Sequence, residues 1–74
     1  MNSSTADVLL ATAGAFEQGF PREFETAVCV VRAGRRGMDL VRFIRSVTHT
    51  DLFISTGLAR ALAVVTLGCN EETV

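Results

Sequence analysis

The chain has 74 residues, room for one domain only, and 49% of them are hydrophobic. A domain this small buries roughly 60% of the surface its unfolded chain exposes, so part of that apolar complement is left over for a partner, and a second copy of the chain is the simplest one. The net charge of −1 excludes a global basic field for nucleic acid or an anionic membrane, and the apolar run at residues 61–65 falls far short of a membrane span.

Ser3, Ser4 and Thr5 offer N-caps, and Asp7 three residues after Ser4 completes a pattern close to a capping box. Ala6, Leu9, Leu10, Ala13 and Phe16 then follow at helical spacing, predicting a first helix over residues 4–18 with a stop at Gly19. Gly14 inside it costs about 1 kcal/mol against Ala, unless another helix approaches closely there. Pro21 suits the first turn of a second helix, with Glu23 and Glu25 near the positive end of its dipole. Residues 27–31, Ala-Val-Cys-Val-Val, are β-branched enough for a buried strand, but the proline start and the Gly34 stop favour helix. Residues 33–37 form a turn with a glycine at either side of Arg35 and Arg36.

A third helix is expected from Met38 to Val47, with Leu40, Val41, Ile44 and Val47 as its apolar stripe and Phe43 to one side. Thr48, His49 and Thr50 interrupt the pattern, and Thr50 is the expected cap of a fourth helix. That helix is the longest, from Asp51 to Leu67, ending at Gly68. It carries Ile54, Leu58, Ala61, Leu62 and Val65 on one stripe and Leu52, Ala59, Ala63 and Thr66 on a second. Arg60 is its only charge between Leu52 and Gly68, and a helix apolar nearly all round is central or interfacial. Ser55, Thr56 and Gly57 are a place where it could split. Residues 69–74 read as an acidic, frayed tail. The expected fold is therefore all-α: a single domain over residues 1–74, a small three- or four-helix bundle that dimerises.

Little in the chain supports catalysis. His49 is the only histidine, Cys29 and Cys69 are far apart with no CxxC, and the glycines flanking Arg35 and Arg36 lack the Walker spacing and lysine. The two cysteines read as reduced thiols in or near the core, with a disulfide as the main alternative, as in a bacterial or host cytosol, where the N-terminus, lacking the basic region of a signal peptide, also places the chain. A deep pocket is not expected in so small a domain. Neither an enzyme, a metal, a cofactor, a small-molecule substrate nor a membrane is expected.

The strongest local signal is charge segregation. All seven basic residues are Arg, and Arg32, Arg35, Arg36, Arg42 and Arg45 lie within one short segment that contains a single acid, Asp39; that segment is +4 and the remainder −5. The planar five-donor guanidinium grips carboxylates and phosphates. A solvated face is the plain alternative. Residues 54–62 resemble a repressor recognition helix, but the turn before them has no glycine and the helix is too apolar for a groove-facing role. The reading that results is a non-enzymatic protein–protein interaction module, a small regulator, adaptor or inhibitor of the kind phages and viruses also make. It would self-associate through Leu58, Ala59, Leu62 and Ala63, with Gly57, Ala59 and Ala63 permitting close helix approach, and would contact an acidic protein through the Arg cluster. The rival is a dimeric nucleic-acid-binding regulator using the segment from Arg32 to Arg45.

Overall fold

The computed structural model describes residues 4–68, which form four helices: α1 (Thr5–Gly19), α2 (Pro21–Arg32), α3 (Met38–Thr48) and α4 (Leu52–Leu67). No strand occurs among the described residues, so residues 27–31 are helical. The tail expected at residues 69–74, with Cys69, lies outside the described residues.

Local chemistry accounts for each boundary. Ser4 caps α1, its Oγ accepting from the Asp7 N–H at 3.1 Å. Only Phe20 separates α1 from α2, and Pro21 opens the second helix at a position where no backbone N–H is needed. The end of α2 is a Schellman turn: Gly34 N–H donates to the Val31 carbonyl at 2.9 Å and Arg35 N–H to the Val30 carbonyl at 3.2 Å, with Gly34 at φ 98°. Gly37, at φ 63° and ψ −138°, precedes α3 in a conformation that only glycine adopts without strain. His49 ends α3 in the left-handed region at φ 57°, its N–H donating to the Arg45 carbonyl at 3.0 Å. Asp51, rather than the expected Thr50, caps α4, its Oδ1 accepting from Ile54 N–H at 2.8 Å. A carboxylate there also meets the positive end of the helix dipole. The helix runs unbroken through Ser55, Thr56 and Gly57.

Helix α4 is the centre of the molecule. It packs against α1, α2 and α3, whereas α1 and α3 do not meet. The main core joins Phe16, Ala27, Val31, Leu40, Val41, Ile44, Leu58, Ala59 and Leu62, and a smaller cluster places Leu9 and Ala13 of α1 against Ala61 and Val64 of α4. Phe16 anchors the α1–α2 corner edge-on to Phe20 and Phe24, with ring centroids 6.2 and 5.4 Å away. On α1 the buried stripe is narrower than expected: Leu9, Ala13 and Phe16 are inside, while Ala6 and Leu10 are exposed. A Cβ added at Gly14 or Gly57 would meet nothing within 4 Å, so neither glycine serves a close helix approach.

The α3–α4 corner is fastened by hydroxyls. Thr48 Oγ1 donates to the Ile44 carbonyl at 2.6 Å, Thr48 and Thr50 Oγ1 lie 2.8 Å apart, and Thr50 Oγ1 and Ser55 Oγ lie 2.7 Å apart. Ser55 is completely buried, and this chain is what satisfies its hydroxyl.

Candidate functional surfaces

The centrality of α4 relocates the apolar surplus. Leu58, Ala59, Leu62 and Ala63, expected to face a second copy, are between 0 and 8% exposed in the single chain. The other three helices already cover them, because a helix touched on three sides spends its middle turns on its own core. Apart from Val65, 37% exposed, the large apolar residues that α4 exposes gather in its first turn instead. Leu52 and Ile54 are each 47% exposed and Phe53 is 87% exposed. Asp51 caps the helix there. A groove beside it is lined by Leu52, Phe53, Ile54 and Gly57 of α4 and Thr12 of α1.

All five Arg residues singled out from the sequence are exposed, on the end of α2, the 33–37 turn and the outer side of α3. On α3 the buried residues Leu40, Val41, Ile44 and Thr48 hold the opposite side, so Arg42 and Arg45 share the face turned to solvent. The turn carrying Arg35 and Arg36 is set by the glycines on either side of it rather than by packing.

A cavity of about 320 Å³ lies between the start of α3 and the middle of α4, where no deep pocket was expected. Arg36, Gly37 and Met38 stand at one side, Arg60 and Thr56 at another, and Leu40, Val41, Ala59, Ala63 and Leu67 make the apolar wall. Of the five clustered Arg residues only Arg36 reaches this cavity; Arg32, Arg35, Arg42 and Arg45 do not line it. Arg60 is an isolated charge in the sequence, and nothing local joins it to Arg36, twenty-four residues earlier in a different element. Thr56 and Arg60, one helical turn apart, line both this cavity and the groove beside Phe53, and so form the ridge between them.

Of the two thiols, Cys69 lies outside the described residues. Among the described residues Cys29 has no disulfide partner; it lies exposed on the surface of α2 rather than in or near the core as expected, and His49 is an exposed residue ending α3. Among the described residues no three His, Cys, Asp or Glu side chains converge as metal ligands would. No single helix there is long and apolar enough to cross a membrane. The axis turns by 115° between α3 and α4, across the three residues His49, Thr50 and Asp51. That angle and turn length are those of a helix-turn-helix corner, and the left-handed His49 occupies a position where such turns often use glycine. Comparison with protein-family models, with curated proteins and with solved structures finds no match, so the reading of these surfaces rests on their own chemistry.

Proposed function

We propose that the chain is a non-enzymatic protein-interaction module that self-associates through the first turn of α4 and contacts an acidic protein through its exposed arginines. The observation that carries this reading is the turn Leu52-Phe53-Ile54, with a phenylalanine 87% exposed beside an open groove. Aromatic side chains next to a groove are the usual anchors of protein interfaces, since they bury a large area while losing little side-chain freedom. A two-fold dimer would let Phe53 of each copy enter the groove beside Phe53 of the other. Arg32, Arg35, Arg42 and Arg45 would then steer an acidic partner, a role that sets association rate and orientation more than affinity.

The test is light scattering at micromolar concentration and above. The wild type should give about twice the 7.9 kDa chain mass, and Phe53→Asp should give a monomer with unchanged helix content. A wild type that stays monomeric across that range overturns self-association.

One observation favours a second reading, the helix-turn-helix shape of the α3–α4 corner. In that reading the same dimer binds duplex nucleic acid. Affinity should then fall steeply with salt, and Arg35→Ala with Arg36→Ala should flatten the slope. Absence of binding to generic duplex DNA or RNA at low salt removes it.

A further inference from the structure

The cavity between α3 and α4 has a specific origin. Ala59 and Ala63 stand one turn apart on α4, facing the start of α3, and two such short side chains leave a gap where longer ones would close it. The wall is aliphatic, with Leu40, Val41 and Leu67 completing it. Met38, 53% exposed, stands at the opening, where its unbranched thioether can adapt to an occupant. The charge around the opening has one sign. Arg36 and Arg60 reach the cavity from separate elements, and among the described residues no acidic side chain lines it. Its volume, about 320 Å³, falls at the lower end of the range typical of small-molecule sites, roughly 300–1,000 Å³.

An apolar recess with two arginines in its lining suits an occupant with an aliphatic body and an anionic head. We infer that the cavity binds a small aliphatic carboxylate, its chain lying against Ala59, Ala63 and Leu67 and its head group held by Arg36 and Arg60. The planar donor fork of Arg matches a carboxylate in two parallel hydrogen bonds. The exposed position of both arginines makes the ion pairs modest, so burial of the chain supplies the larger part of the binding. This inference is independent of the dimer. It uses the other side of the Thr56–Arg60 ridge, and it survives if the Phe53 surface proves inert.

The experiment is a titration of the full isotope-labelled chain with decanoate, decanol and decyltrimethylammonium, each below its aggregation limit, followed by amide chemical shifts. Decanoate should shift the amides of Gly37, Met38, Ala59 and Ala63 in a saturable way. Decanol should bind more weakly and the ammonium compound most weakly. Arg36→Gln and Arg60→Gln, both surface changes, should each weaken decanoate by roughly two- to fivefold and leave decanol unaffected. Ala63→Leu should abolish binding by filling the recess, with helix CD confirming that the variant folds. Equal binding of the three head groups, indifference to both Arg substitutions, or shifts centred on Leu52–Gly57 would each overturn the inference.

Discussion

Replacing Thr50 by Val should cost more stability than replacing Ser55 by Ala, although Ser55 is fully buried and Thr50 only half so. The reason is the direction of the hydroxyl chain. A hydroxyl has one proton, and Thr48 spends its own on the Ile44 carbonyl. At 2.8 Å from Thr48, Thr50 must then be the donor to it, and at 2.7 Å from Thr50, Ser55 must donate in turn. Ser55 is thus the far end of a one-way chain and Thr50 its middle link. Ser55→Ala removes one net hydrogen bond, about 0.5–1.5 kcal/mol, and orphans no donor because Thr50 still donates to Thr48. Thr50→Val is nearly isosteric but leaves the buried Ser55 proton without an acceptor, a penalty of about 1–3 kcal/mol. That penalty is reduced if Ser55 turns its proton back onto the Asp51 carbonyl, as Thr12, Thr26 and Thr56 do one turn back on their own helices. The double variant has no orphan left, so it should be more stable than Thr50→Val alone, a strongly non-additive pair. With neither Trp nor Tyr in the chain, helix CD under urea is the readout, with an unchanged m-value as the check that the unfolding reaction is the same. If Ser55→Ala proves the costlier change, or if the two costs simply add, the assigned direction of the chain is wrong.

The glycines divide into two groups with opposite expected signs. Gly14→Ala and Gly57→Ala place a methyl in open space on a helix, so each should stabilise by about 0.5–1 kcal/mol, raising the CD melting temperature by several degrees. Gly37→Ala should destabilise by about 1–3 kcal/mol in the same melts, because φ 63° with ψ −138° is closed to a side chain, and it should also disturb decanoate binding through the neighbouring Arg36. His49→Gly should raise the melting midpoint, since a non-glycine residue at φ 57° costs about 1 kcal/mol that glycine does not incur; a lower midpoint would mean that the exposed imidazole contributes something the backbone argument omits.

The helices were legible because their signals are local. Ser4 with Asp7, Pro21, Gly34 and Gly68 each act within one turn, and the element boundaries fall within a residue or two of where these residues place them. Two positions are ambiguous on local signals alone. Thr50 and Asp51 are both good caps, and the choice between them depends on which one the hydroxyl chain claims. Gly57 resembles a contact glycine until its surroundings are known. What periodicity could not supply was the order of packing. The heavily apolar α4 fits equally well at the centre of one chain or between two, and only the placement of α1 on one side and α3 on another decides that Leu58, Ala59, Leu62 and Ala63 are core. The same gap hid the second arginine of the cavity. Arg60 gains a neighbour at Arg36 only once the α3–α4 corner has turned.

That corner also bears on the choice between a protein and a nucleic acid as partner. Its 115° turn offers α4 to a surface much as a recognition helix is offered to a major groove. A groove, however, presents polar base edges and is lined by phosphates, and the part of α4 that would enter first carries Leu52, Phe53 and Ile54. Seating those side chains there would strip water from hydrogen-bonding groups and give them no partner, which costs free energy at every such contact. Against a protein the same three residues bury apolar area and gain by it. The clustered arginines do not reverse this, because Arg42 and Arg45 ride on the outer face of α3 and Arg35 on the turn before it, none of them on the helix that would enter the groove. Shape alone favours a nucleic acid, and the exposed phenylalanine turns the balance toward protein.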